Sequence, residues 1–336
     1  MSDEHIKDEN ITYTKIGKPH VVLLGAGASL ATFPEGDRNG KKLPLMNNII
    51  EVLKLEEDFK KYDVKVNSKN FEEVYSNLYN HEKYDDLLRL VERKVYNYFS
   101  DLELPDKPTI YDYLVLSLRS KDVIATFNWD PLLWQAAYRN HKVVDMPHLI
   151  FLHGNVAVGY CQKCSVKSTN GYICSKCGNI LEDSKLLYPT SQKNYTDNPV
   201  TAGEWKMIEN YLKYAYIFTI FGYSAPKTDV EAVKLMESAW GPKEKRAFEQ
   251  TEFINRPGKS EEEIIGPWNN FIHSHHYEPP RENFFDSLIA NFPRRTCEAI
   301  WAMTMEVQFI DRNPVPRDVS LSELHEWYKN LAKSEK

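Results

Sequence analysis

The 336-residue sequence has no excess of basic charge: 42 Lys and Arg stand against 48 Asp and Glu, a formal net charge of −6. A protein whose main task is to grip nucleic acid or an anionic membrane needs a basic face, so no direct nucleic-acid binding is expected. Long apolar runs are missing as well. No stretch reaches the roughly 18 uninterrupted apolar residues of a membrane-spanning helix. The first fifteen residues, with Asp3, Glu4, Lys7, Asp8 and Glu9, lack the apolar centre of a signal peptide. The expectation is a cytoplasmic protein without membrane contact. Internal repeats and low-complexity tracts are absent. Cysteine is scarce, at five residues, and four of them (Cys161, Cys164, Cys174 and Cys177) fall in one short segment. In a reducing compartment that clustering points to metal ligation rather than disulfides, with Cys297 left over as a buried thiol.

What is present is enough apolar side chain, 42% against 27% charged, to bury a proper core. Four short runs carry it: His20–Leu24, Asp122–Phe127, His148–Leu152 and Tyr216–Phe221. Each is almost continuously apolar rather than alternating, the pattern of strands covered on both faces, and segments of helical length separate them. These features predict an α/β fold with a doubly wound parallel sheet. Asp130-Pro131 reads as the start of a helix, as do Thr228-x-x-Glu231 and Ser320-x-x-Glu323. The expected organisation is a nucleotide-binding domain from residues 1–40 and 119–240, a helical insertion over 41–118, a small ribbon module over 159–181 and a helical C-terminal appendage over 241–336. Within the appendage, helical pieces are read at Glu261–Ile265 and Phe284–Ala290.

Three constellations carry chemistry. Gly25-Ala26-Gly27-Ala28-Ser29 breaks a strand into a helix, and glycines there let backbone N–H groups approach a diphosphate. Leu30 stands where GxGxxG has its third glycine and no P-loop Lys follows, so a plain tight turn is as good a reading of this segment alone. Thr126-Phe127-Asn128-Trp129-Asp130, His153-Gly154 and Gly222 lie at the carboxyl ends of the other predicted strands. In an open parallel sheet these ends converge on one crevice. Singly, Asn128 is a turn residue, Asp130 a helix cap and His153 a structural histidine; together they suggest a site. Cys161-x-x-Cys164 and Cys174-x-x-Cys177-Gly178 supply four thiolates for a closed tetrahedral, structural zinc; the alternative, a thioredoxin-like redox role, would not need two pairs. His273, His275 and His276 read as a solvated face rather than ligands, and Arg294-Arg295 as a minor basic spot.

Taken in this order, the Gly-Ala-Gly-Ala-Ser turn, Thr126-x-Asn128-x-Asp130, His153-Gly154, the two CxxC pairs and Gly222-Tyr223-Ser224 resemble the sirtuin superfamily over residues 20 to 240. The resemblance implies a Rossmann-type NAD domain with a zinc module. It implies that Asn128 contacts the nicotinamide ribose and His153 acts as catalytic base. Gly25, Ala26, Gly27, Ser29, Thr126, Asp130, Gly222 and Ser224 would line the dinucleotide. The departures concern acyl-peptide binding. Where protein deacylases have a Gly-Ile-Pro-Asp-Phe-Arg type of segment, this chain has Thr32 to Asn39, with only Asp37 and Arg38 as rough counterparts. Where they have Phe-Gly-Glu, it has Leu186 to Asn194. Gly222-Tyr-Ser-Ala-Pro226-Lys-Thr228-Asp229 is similar to the bacterial sirtuin-like branch that includes NAD-hydrolysing anti-phage effectors.

The resemblance therefore implies an NAD glycohydrolase with NAD as substrate and zinc as structural metal, gated by homo-oligomerisation or a partner. An NAD-dependent deacylase and a non-catalytic NAD or ADP-ribose sensor are the alternatives. For the hydrolase, Asn128 offers both an acceptor and donors to ribose hydroxyls or water, and His153 can accept a proton at neutral pH.

Overall fold

The computed structural model describes residues 15–190, 195, 198–226, 229–273, 277 and 279–335. Five strands form the central sheet: β1 (His20–Leu24), β2 (Val123–Thr126), β3 (His148–Phe151), β7 (Ile217–Phe221) and β8 (Gln250–Ile254). All neighbours are parallel, in the order β3-β2-β1-β7-β8. That is the 3-2-1-4-5 order of a Rossmann-type sheet, with the strand order reversing between β1 and β7.

The apolar runs divide between two cores as the pleat requires. Val22, Leu24 and Ile124 point into one cluster, whereas Val21, Leu23, Val123 and Ala125 point into the other. The first cluster takes in the helices between β1 and β2, chiefly Phe71–Tyr79, Asp85–Ser100 and Ile110–Ser117. The expected helical insertion is present, with no strand among its described residues, and it shares the sheet's core. The second cluster is covered by helices Pro199–Tyr214 and Val230–Trp240.

The C-terminal segment differs from a purely helical appendage. It supplies β8, the edge strand. Gln250 and Glu252 interrupt its apolar run, but Glu252 is fully buried, accepting from the Thr219 hydroxyl at 3.0 Å and the Leu288 N–H at 2.7 Å. Satisfied in this way, a carboxylate sits in a strand whose sequence does not advertise one. The last helix, Leu321–Lys333, opens with the expected Ser320/Glu323 capping box and buries Leu324 and Tyr328 in the same core as the sheet. Arg294 is no surface spot: it is buried, bonded to the Leu118 carbonyl at 3.2 Å and paired with Asp145 and Glu335.

The helix after Asp130-Pro131 runs from Leu132 to Asn140, and Asp130 Oδ1 accepts the Leu132 N–H at 3.1 Å, a capping bond one turn position earlier than the helix bounds. Thr228, His275 and His276 lie outside the described residues, as do Lys193 and Asn194. No described helix is long and apolar enough to cross a membrane.

A three-stranded antiparallel ribbon, β4 (Val158–Cys161), β5 (Val166–Thr169) and β6 (Glu182–Asp183), projects after β3.

Candidate functional site

At the switch point between β1 and β7, two turns cross at the closest distance backbones allow. Gly25 donates to Phe221 O (3.0 Å) and Gly27 to Gly222 O (2.9 Å). A Cβ on Gly25 would lie 2.6 Å from Gly222 O, and one on Gly222 would lie 2.2 Å from Ala28 N; Gly222 also has φ +64°. These glycines are thus required by the crossing itself. Gly25 does not border the cavity described next, whereas Ala26, Gly27, Ser29, Gly222 and Ser224 do. Ala26 is exposed at the turn, and the N–H groups of Gly25, Gly27 and Ala28 are already bonded within the protein. The turn therefore offers a diphosphate fewer donors than its sequence suggests.

The cavity has a volume of about 400 Å³ and lies at the carboxyl ends of the strands. It brings together Ser29, Asn128, Asp130 and His153, which are separated by up to 124 positions in sequence. Leu43 to Asn47, Asn70 and Glu72 of the helical insertion form part of its wall. Thr126 stands behind: it is buried, and its hydroxyl accepts the Asn128 N–H at 3.0 Å, fixing the turn.

Asn128 is oriented by partners whose chemistry leaves no choice. Its Nδ2 lies 2.9 Å from Gly25 O and 2.9 Å from Ser29 Oγ. A backbone carbonyl only accepts, so the amide nitrogen must face it. Both donors are then consumed inside the protein, and Oδ1, which accepts no hydrogen bond among the described residues, is the polar atom left for a ligand. This corrects the expectation that Asn128 offers donors as well as an acceptor.

Ser29 Oγ donates to Asp130 Oδ2 at 2.7 Å and meets Tyr111 OH at 2.6 Å, so one hydroxyl proton and two lone pairs are fully used. Complete burial is the main cause that raises the Asp130 carboxyl to about 6, against the opposing pull of the Ser29 hydroxyl and the Leu132 N–H. Burial, then the Asp130 charge, pushes the Tyr111 hydroxyl well above the usual phenol range. Tyr111 was invisible to the sequence reading. It lies 82 positions from Ser29, inside a helix whose apolar pattern accounts for it as core.

A second part of the lining is aromatic. His153 is buried, its ring 4.6 Å from Phe127 edge to face and 6.1 Å from Tyr195 in a stack. Phe127 stacks on Tyr223 at 4.3 Å, and the Tyr223 hydroxyl donates to Asp229 at 2.8 Å. Phe127, Trp129 and Tyr223 are residues that sequence reasoning passed over, although each adjoins a residue it singled out. Asp37 and Arg38 do not border the cavity. Asp37 holds a loop by accepting the N–H groups of Asn39, Lys41 and Glu103 at 2.8, 2.8 and 3.0 Å, and Arg38 pairs with exposed Asp106 at 3.3 Å.

In the ribbon, the sulfurs of Cys161, Cys164, Cys174 and Cys177 all lie within 4.8 Å of one another, Cys161 and Cys177 at 3.5 Å. Tetrahedral Zn–S bonds of about 2.3 Å imply sulfur separations near 3.8 Å, so the four cysteines are positioned to bind a zinc ion. Both knuckles end alike: Ser165 (φ +52°) follows Cys164 as Gly178 (φ +75°) follows Cys177. The Lys176 N–H directed at Cys174 Sγ at 3.4 Å draws that thiol below the usual range, towards the ligating thiolate.

No family model and no curated protein matches the chain. Among solved structures it is similar to a Sir2 homologue–NAD complex, with 15% identity over 79% of this chain and 84% of that one and a TM-score of 0.38. A Sir2 homologue mutant bound to ADP-ribose gives 14% identity over 95% and 94%, with a TM-score of 0.38. Sir2 bound to an acetylated peptide gives 15% over 79% and 87%, with a TM-score of 0.36. At these values the likeness carries no assignment, and the functional reading rests on the motifs and the cavity.

Proposed function

We propose that the protein is a sirtuin-like NAD glycohydrolase, cleaving NAD and water to nicotinamide, ADP-ribose and a proton. The observation that carries this reading is the convergence of Gly27, Ser29, Asn128, Asp130, His153, Gly222 and Ser224 on one cavity at the strand reversal of a parallel sheet. Nicotinamide leaves a cationic precursor as a neutral molecule, so the leaving group needs no acid. The site has to stabilise an oxocarbenium-like ribose and an attacking water. Asn128 Oδ1 accepts from a ribose hydroxyl or from that water, and Asp130, buried beneath it, supplies negative charge where positive charge develops. His153 takes the proton of the water, within an aromatic wall that excludes bulk solvent. The turns at Ala26–Ser29 and Gly222–Ser224 orient the diphosphate.

Unrestrained NAD hydrolysis would kill the cell that makes the enzyme. Together with the resemblance of Gly222–Asp229 to the bacterial sirtuin-like branch, the reading therefore includes a gated, cytoplasmic effector of bacterial anti-phage defence, held inactive until an oligomer or a partner completes it. The four-cysteine ribbon serves the fold, since a zinc with four thiolates has no open position.

The test incubates wild type, Asn128→Ala and His153→Ala with NAD, without acyl peptide and with candidate activators, and separates nicotinamide and ADP-ribose by chromatography. Release by wild type, and its loss in both variants, is expected. Release only when an acyl-lysine peptide is added would make the protein a deacylase, and ADP-ribose binding without turnover would make it a sensor.

A further inference from the structure

β3 is an edge strand of the sheet, and His153 follows its last residue, Phe151, by two positions. On its inner side β3 is bonded to β2 and the turn before it, with the His148 N–H on Asp122 O at 3.0 Å and the Leu152 N–H on Thr126 O at 2.9 Å. The outer side of an edge strand has no neighbouring strand, so its N–H and C=O groups need partners of another kind. An ion pair supplies them here. Lys167 of β5 donates to Leu149 O at 2.6 Å, and Glu204 of helix Pro199–Tyr214 accepts the Phe151 N–H at 2.7 Å. The Lys167 ammonium also meets the two Glu204 oxygens at 2.9 and 3.0 Å, so each of its protons has an acceptor. Glu204 is buried and Lys167 partly so.

A buried ion pair loses to desolvation much of what it gains by attraction, and stability alone would be served as well by apolar side chains. Apolar side chains could not donate to Leu149 O or accept from the Phe151 N–H. The pair stands in for a further strand, one built from the ribbon on one side and a helix on the other. The clamp continues towards His153. Trp205, next to Glu204, donates from Nε1 to Leu152 O at 3.2 Å, and its ring packs at 4.4 Å on Tyr195, which stacks on the His153 ring. The Leu187 N–H then bonds to His153 O at 3.0 Å. From Leu149 to His153 every residue except Ile150 is tied to the ribbon, to the helix or to the segment between them. Lys167, Glu204 and Trp205 do not border the cavity.

We propose that Lys167 and Glu204 are a positioning pair for His153: they fix the edge strand, and with it the imidazole at the cavity, without touching the dinucleotide. This inference rests on the reading of His153 as the base of the proposed reaction.

The experiment compares wild type with Glu204→Gln, Lys167→Met and the double variant, each below its melting transition. Lys206→Met is the control, because it breaks only an exposed pair with Glu209 on the same helix. NAD hydrolysis gives kcat and KM separately, and the NMR ring resonances of His153, assigned by their loss in His153→Ala, report on the imidazole without turnover. In both single variants kcat should fall about 10- to 100-fold with KM within about twofold of wild type, and the His153 resonances should shift or broaden. The double variant should be no worse than the worse single one, as for two groups acting as a unit, and Lys206→Met should match wild type. Wild-type kcat with unmoved His153 resonances in the single variants would overturn the proposal; dimerisation of those variants would then make the pair a guard of the sheet edge only. A fall in kcat with unmoved resonances, or a change confined to KM, would overturn it as well. A wild type that releases no nicotinamide, with His153 resonances that move in the variants, would overturn the hydrolase reading and leave the positioning role standing.

Discussion

At the cavity Ser29, Asn128 and Asp130, backed by Tyr111, hold one another by hydrogen bonds of 2.6 to 2.9 Å, whereas Phe127, His153 and Tyr223, backed by Tyr195, meet through ring faces and edges. The polar wall is directional. Each donor has one acceptor, so a single deletion leaves a buried group unpaired and turns the Asn128 amide loose. The aromatic wall is tolerant of detail but keeps water out and holds one imidazole in place. The difference teaches where chemistry and where solvent exclusion reside, and substitutions can separate the two.

The largest effect on the polar wall is expected at its foundation. Gly222→Ala would place a methyl 2.2 Å from Ala28 N at a residue with φ +64°, so the crossing beneath Asn128 has to open. A loss of about 3 kcal/mol or more is expected, read as a fall in melting temperature together with loss of ligand binding. An unchanged melting temperature would show that the two turns are not in contact. Next comes the metal ribbon, which stands apart from both walls. Cys174→Ser should lower zinc content and thermal stability, and wild-type protein purified without zinc by elemental analysis would contradict the closed four-thiolate site.

Asp130 distinguishes the walls by pH. Its carboxyl is raised from 3.8 to about 6, so between those values the folded protein holds a proton that the unfolded chain has released. Stability is therefore highest below about pH 4 as far as this group is concerned, and declines as pH rises towards 6. Activity runs the other way. Below about pH 6 the protonated acid no longer requires the Ser29 proton and loses its charge, so turnover should fall on the acid side, and Asp130→Asn should make that limb shallower without removing it, because the base His153 must also be unprotonated. An unchanged limb in Asp130→Asn would show that Asp130 does not contribute to it. The smallest effect is expected for Tyr111→Phe, which removes one hydroxyl from the network but no wall. About a two- to tenfold loss in kcat/KM is expected, with a small fall in melting temperature from the unpaired Ser29 oxygen. A hundredfold loss would make Tyr111 a contact to the ligand rather than a support for Ser29 and Asn128.

The legible parts of the molecule are those in which one local signal suffices. β1, β2, β3 and β7 are apolar runs ended by a glycine or polar residue, and their carboxyl ends name most of the cavity. The two CxxC pairs carry their own spacing. What was not legible depends on distant partners. β8 was hidden because Glu252 is acceptable in a strand only once Thr219 and the Leu288 N–H receive it. Tyr111 looked like core because the reason for its hydroxyl lies on another helix. The segment at Gly25 reads equally as a plain tight turn or as a phosphate contact, yet its immediate task is to let Gly222 pass, which no single segment reveals.

The central claim is that one dinucleotide spans the strand ends with its nicotinamide ribose between the two walls. A crystal structure of the protein with a non-hydrolysable NAD analogue tests it most directly. The account predicts a ribose hydroxyl within about 3.2 Å of Asn128 Oδ1, the diphosphate beside Ala26–Ser29 and Gly222–Ser224, and the His153 ring on the side of the glycosidic bond. An analogue bound elsewhere, or one with its adenine at Asn128 and its nicotinamide at β8, would contradict it.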